Sequence, residues 1–313
     1  MIFDLHCDTV YEIRKQAKEE KPISLKKSNL QVDEEKLKNG DYLAQCFAMW
    51  VHANNPDPYC LCNEMIDTYY QQLEKCDSIC PAFSYADILK NNSQGKISSI
   101  LTMEDAGPVG EDINRIREFY DRGVRMICLL WNYENFVGYP TSNMNKGITR
   151  FGIEAVKEMN KTGIIVDVSH LSDAGFYDVI EYSSKPVVAS HSNSRAVCNH
   201  ARNLTDDMIK KIALSGGVIG MNCAAQFLHN DKEKGRQTFE RFAEHMKHIK
   251  RIAGCDCLAL GSDFDGISPD IELCDASKMS LIASVLEKSG FTGDEIDKIT
   301  HKNAMRVFKE CVG

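Results

Sequence analysis

No stretch of the 313 residues approaches the ~18 to 20 consecutive apolar side chains that a membrane-crossing helix needs, so no membrane association is expected. A basic excess is lacking as well: 37 Lys and Arg face 45 Asp and Glu, a formal charge of −8. Polyanions are held by clustered Lys and Arg that release counterions, and nucleic acid is therefore not an expected partner. Residues Met1 to Val10 carry neither the basic n-region nor the apolar h-region of a secretion signal, which leads to a cytoplasmic expectation. Internal repeats, low-complexity tracts and linkers are also missing, so residues 1–313 read as one domain. At this length a fold buries roughly three quarters of its unfolded surface, and neither a disulfide nor a metal is needed merely to fold.

Cysteine, by contrast, is abundant. Thirteen is an odd number, in a long chain with no export signal, and it points to reduced thiols rather than a disulfide framework. The pairs Cys60 and Cys62, Cys76 and Cys80, and Cys255 and Cys257 are too irregular in spacing to read as structural zinc sites.

Eight short runs rich in Val, Ile, Leu and Met recur: Ile2 to His6, Tyr42 to Val51, Ile97 to Glu104, Arg125 to Leu130, Ile164 to Val168, Pro186 to Ser190, Gly217 to Asn222 and Cys257 to Ser262. Most are separated by segments of helical period, such as Asn63 to Lys75, Gly152 to Lys161, Ser172 to Tyr182 and Thr238 to Ala253. Runs apolar throughout suit parallel strands covered on both faces, and eight of them within about 260 residues match the rhythm of a (β/α)8 TIM-type barrel. A doubly wound open sheet is the rival. Lys15 to Gly40 reads as an insertion after the first strand, and Asn132 to Arg150 as a long loop over one barrel mouth. Extra C-terminal helices over Ser277 to Lys288, Thr292 to Ile299 and Asn303 to Glu310 are expected to close the C-terminal side.

Barrel enzymes assemble their sites at the C-terminal ends of their strands. Polar, metal-competent side chains collect at those ends here: His6 and Asp8 on strand one, Glu104 on strand three, His170 past strand five, His191 past strand six and Asp263 past strand eight. His6 and Asp8 are two apart, so in an extended chain both can reach one ion. His170 and His191, at the ends of consecutive strands, form a second pair. Glu104 would be costly to bury alone beneath the mouth, a cost removed if it bridges two metals; Asp105 is its competitor. Asp263 can carry a proton between a metal-bound water and a leaving amine, and is favoured over Asp265. The turn Asp-Phe-Asp-Gly is read with Gly266 supplying a positive φ. His245 and His248, three apart on a predicted helix, read as a solvated face.

The segments Asp-Leu-His-Cys-Asp-Thr at 4–9, Glu104, Asp-Val-Ser-His at 167–170, Ser-His-Ser at 190–192, Ala-Arg-Asn-Leu-Thr-Asp-Asp at 201–207, Gly-Ser-Asp-Phe-Asp-Gly at 261–266 and Asn-Ala-Met-Arg-Val-Phe at 303–308 resemble the membrane (renal) dipeptidase family, peptidase family M19 of the amidohydrolase superfamily. The resemblance runs nearly end to end. It implies a (β/α)8 barrel with two Zn2+ per chain, one held by His6, Asp8 and Glu104 and the other by Glu104, His170 and His191, with Asp263 managing the proton. Arg202 occupies the position of the family's substrate-binding arginine. Trp131 stands where the animal enzyme has a substrate-contacting histidine, which puts substrate range in question. No signal peptide or lipid-anchor tail like those of the animal enzymes is read in this sequence, so their membrane attachment is not expected here.

The implied reaction is hydrolysis of a dipeptide by a metal-bound hydroxide, with tolerance of a D-residue at the C-terminal position. The alternatives are another reaction of the same superfamily, such as lactone or phosphotriester hydrolysis or deamination, and a metal-binding scaffold without catalysis. The expected partner is a small dipeptide; a homodimer is left open.

Overall fold

The computed structural model describes residues 1–19, 23–230, 238–268 and 272–313. Among the described residues nine strands form: β1 (Ile2–Asp4), β2 (Tyr42–Trp50), β3 (Ile79–Pro81), β4 (Ile97–Glu104), β5 (Val124–Cys128), β6 (Ile165–Asp167), β7 (Val187–Ala189), β8 (Val218–Met221) and β9 (Leu258–Leu260). Each of the eight apolar runs coincides with one of them, usually shortened by a few residues, although β5 begins one residue before its run. All pairings are parallel. Eight strands close in the order β1, β2, β4, β5, β6, β7, β8, β9, with β9 returning to β1 through Asp4 and Leu260. The result is a (β/α)8 barrel, and the open-sheet alternative is set aside.

The additional strand, β3, was not legible as a run. It has three residues, one of them Pro81, and pairs only with the first three of β4, along the edge that β5 takes over from Leu101 onward. A proline in so short an element erases the period by which strands are recognised.

The expected helices appear between the strands. Arg150–Thr162 is typical: the Thr149 hydroxyl accepts from the Gly152 amide at its start, and Gly163 ends it in the left-handed region at φ 94°. The insertion after β1 contains the end of helix Thr9–Lys18 and all of Glu34–Asn39, the latter capped by Asp33; its residues 20–22 lie outside the described residues.

The last helix, Asn303–Cys311, corrects the expectation that the C-terminal segments close the C-terminal side. Its Ala304, Val307, Phe308 and Cys311 pack beneath the barrel against Phe3, Ile165 and Val218, at the starts of their strands. The rings of Phe3 and Phe308 lie 6.4 Å apart. The helix carries an apolar stripe at three- and four-residue spacing, which the apolar floor accepts and the charged opposite rim could not. Among the described residues, no helix is long and apolar enough to cross a membrane.

Candidate metal centre and active site

The open rim receives all six expected donors, each delivered at or just past the end of a strand. Glu104 is the last residue of β4. His6 follows β1 by two residues and Asp8 by four, at the start of helix Thr9–Lys18. Asp8 is a residue type that often caps helices, yet its carboxylate makes no capping bond and turns toward His6, with Oδ2 3.3 Å from His6 Nε2. His170 and Asp263 are held at φ 68° and 65°, and Asp105 and Asp265 nearby are also left-handed. Four strained non-glycine residues thus crowd one rim, where such strain can persist only because surrounding bonds over-determine it. The positive φ expected at Gly266 belongs instead to Asp263 and Asp265. Gly266 is small for another reason: a Cβ there would collide with Asp8 Oδ2 and approach Asp263 Oδ1 to 2.7 Å.

Two donor groups share Glu104. His6, Asp8 and Glu104 form one, and Glu104, His170 and His191 the other, the ligating atoms of each lying within 4.8 Å of one another. His6 Nε2 is 3.4 Å from Glu104 Oε2, while His170 Nε2 and His191 Nε2 are 3.1 and 3.6 Å from Oε1. Each carboxylate oxygen of Glu104 therefore faces a different group. Asp263 Oδ1 is 3.9 Å from His6 Nε2, and Asn222 Nδ2 donates to Asp263 Oδ2 at 2.8 Å.

Hydrogen bonds behind the rings assign the imidazole tautomers. Asn132 Oδ1 lies 3.0 Å from His170 Nδ1 and accepts its proton. Ser190 Oγ donates to Asp167 Oδ2 and lies 2.7 Å from His191 Nδ1, so it can only accept from that ring. Both Nε2 atoms then carry lone pairs, and they face one another at 3.0 Å. Two acceptors cannot bond each other; a cation between them satisfies both. Asp8 Oδ1 is likewise buried without a hydrogen-bond partner.

The electrostatics agree. Burial, with the Asp8 charge added, pushes the Glu104 carboxyl up to about 8, and burial takes Asp263 up to about 6. Burial also drives His170 and His191 well below the ordinary histidine value. For His6 burial acts the same way, but the Glu104 and Asp8 carboxylates outweigh it and hold the ring well above that value. A shell of this kind resists its own charges unless cations compensate them. The donor set, the facing lone pairs and the orphaned oxygen all fit a pair of divalent ions.

The competing carboxylates are occupied elsewhere. Asp105 accepts from the Gly107 amide at 2.6 Å, from Asn135 Nδ2 at 2.7 Å and from the Trp131 amide at 3.0 Å, fastening the loop after β5. Asp265 accepts from Thr9 Oγ1 at 2.6 Å and from the Gln31 amide at 2.7 Å, tying the insertion to the rim.

Above the donors opens a cavity of about 250 Å3. Trp131 lines it, its ring 4.8 Å from Trp50 and 6.5 Å from His170. Arg202 is 6% exposed and lines a small adjoining cavity with His170 rather than the main one. Its Nη2 donates to the His191 carbonyl at 3.3 Å, and its Nε has no partner. His245 is corrected: it is fully buried, with Nδ1 accepting from the Ser194 amide at 3.1 Å and Nε2 directed at the Leu228 carbonyl. The sequence analysis missed Asn132, Asp167, Ser190 and Asn222. Their only signal was adjacency, since Asp167 and Ser190 stand in the same short segments as the histidines.

The close approach at Gly266 carries a prediction. Gly266→Ala must displace Asp8 or Asp263, and overpacking of this kind costs about 1–3 kcal/mol. Thermal unfolding and metal titration of the variant should show a lowered midpoint and weakened metal binding; wild-type values in both would show that the turn has room to spare.

Residues 1–312 match the family model of the membrane dipeptidases, peptidase family M19. An uncharacterized dipeptidase of Schizosaccharomyces pombe is 29% identical over 99% of this chain and 80% of its own length. Among solved structures, the dipeptidase AC, a metallo peptidase of family M19, is 26% identical, covers 100% of this chain and 98% of its own, and superposes with a TM-score of 0.91. A metallo peptidase from Rhodobacter sphaeroides, solved with a phosphinate mimic of L-Ala-D-Ala, shares the fold at a TM-score of 0.91 and 24% identity, with 99% of each chain covered. With a family match spanning the barrel from its first strand to its last helix, this chain belongs to the membrane dipeptidase family, peptidase family M19.

Proposed function

We propose that the chain is a zinc-dependent dipeptidase, cleaving the single peptide bond of dipeptides at two Zn2+ ions that share Glu104. The observation that carries this reading is the pair of buried three-residue donor groups meeting at one carboxylate beneath a single cavity. His6 and Asp8 complete one group, and His170 and His191 the other. Zinc suits imidazole and carboxylate donors, and when bound it would lower the pKa of a water toward neutrality and polarise the scissile carbonyl.

The chain's own residues supply the rest. Asn222 holds Oδ2 of Asp263, leaving Oδ1 directed at the donor set, where it can take a proton and return it to the departing amine. Arg202 is a buried cation without an ion pair among the described residues, and its planar fork suits the substrate carboxylate. Pairing of both substrate termini in a closed pocket excludes longer peptides, which would leave a charge buried and unmatched. Trp50 and Trp131 wall the cavity against water. Family membership supports acceptance of a D-residue at the C-terminal position. No disulfide joins cysteines among the described residues, which supports a reducing compartment, the cytoplasm.

Metal analysis of the purified protein, combined with a panel of L-L and L-D dipeptides, tripeptides, lactones and phosphotriesters, tests the reading. About two zinc per chain with hydrolysis confined to dipeptides is expected. Turnover of lactones or phosphotriesters alone would assign a different reaction of the superfamily, and tight zinc with no hydrolysis would favour a scaffold.

A further inference from the structure

The cavity has two unlike ends. Arg202 stands behind His191, in the cavity adjoining the main one, and His191 belongs with Glu104 and His170 to the donor group that does not contain Asp8. A dipeptide whose carboxylate meets Arg202 and whose carbonyl lies over Glu104 therefore places its first residue over Asp8. One helical turn beyond Asp8, on helix Thr9–Lys18, come Tyr11 and Glu12, and both line the cavity. Tyr11 meets Trp50 edge to face with ring centroids 4.6 Å apart, and the Trp50 indole N–H is buried without a partner. The side chain of a first residue thus enters a corner made of two aromatic rings and one carboxylate.

A cation of the chain itself already rests against two of these side chains. Lys15 Nζ lies 3.0 Å from Glu12 Oε1 and 5.9 Å from the Tyr11 ring centroid, so an ammonium group is seated on the carboxylate and the ring together. The Lys15 side chain is half-exposed, and an exposed pair three residues apart on a helix is weakly held. A substrate ammonium or guanidinium arriving from the cavity side meets the same two partners with less water around it, where cation–π attraction is stronger.

We propose that Tyr11, Glu12 and Trp50 form a subsite for the first residue that selects dipeptides with a cationic side chain there, lysine or arginine, and that Lys15 occupies it in the free enzyme. The proposal rests on the dipeptidase reading above and names the substrate class within it.

Values of kcat/KM for Lys-Ala, Leu-Ala and Glu-Ala test it. The expected order is Lys-Ala above Leu-Ala above Glu-Ala, with about tenfold between the first two. Glu12→Gln should collapse the ratio of Lys-Ala to Leu-Ala toward unity, acting through KM, whereas Lys15→Met should raise it. Equal rates for the three dipeptides, or a preference for Glu-Ala drawn to Lys15, would overturn the subsite and leave the dipeptidase reading standing. Absence of hydrolysis of any dipeptide would overturn both. An unchanged ratio in Glu12→Gln, with the preference for Lys-Ala intact, would show that the carboxylate is not the selector.

Discussion

Asp263→Asn should bind metal as the wild type does and turn over dipeptides at a rate lower by about 10²- to 10⁴-fold, the usual weight of a positioned acid–base group. The geometry makes the substitution conservative. Asn222 Nδ2 donates to Oδ2, and the amide oxygen of an asparagine can accept the same bond. What is lost is the capacity to gain and release a proton, at a position where burial already holds the carboxyl near 6. Metal analysis and steady-state kinetics on the same preparation are the measurements. Undiminished turnover would remove Asp263 from the mechanism, and loss of metal would recast it as a ligand, a reading open to it because it groups with His6 and His191.

Glu104→Gln should be still more damaging, since one carboxylate serves both donor groups. Its oxygens lie 3.4 Å from His6 Nε2 on one side and 3.1 Å from His170 Nε2 on the other. A neutral amide offers one acceptor oxygen and turns N–H donors toward the second group, where lone pairs are needed. Zinc content should fall below two per chain and activity should become undetectable. The metal-free variant should nevertheless be no less stable than the metal-free wild type, because a carboxyl that burial pushes up to about 8 has been replaced by a neutral isostere. A ligand present at 100 times its dissociation constant stabilises a fold by about 2.7 kcal/mol, so the wild-type unfolding temperature should rise on adding zinc by more than that of the variant. An equal rise in both would disprove the bridging role.

The barrel strands were readable because each is buried on both faces, and burial leaves an apolar run that no loop imitates. β3 escaped because three residues ending in proline leave no run. The donors were readable as well, through chemistry that strand ends do not need for stability. Distinguishing Glu104 from Asp105, or Asp263 from Asp265, required the fold: Asp105 is consumed by the Trp131 loop and Asp265 by Gln31, partners distant in sequence. His245 misled for a related reason. A histidine on a charged helix looks solvated until Ser194 and Leu228 arrive from other segments to satisfy both nitrogens. The last helix misled because an apolar stripe announces that a helix will be covered without saying by which end of the barrel.

The seam between β1 and β9 has a consequence for biosynthesis. His6 and Asp8 are translated ahead of every later strand, yet β9, the strand on which β1 closes, is the last of the nine to be made. Until then the emerging polypeptide has an open edge on β1 and thiols not yet sheltered. Any metal capture by the two donor groups must therefore wait until β9 has been made, and a nascent chain stalled before Leu258, its barrel still open, would be a substrate for chaperones.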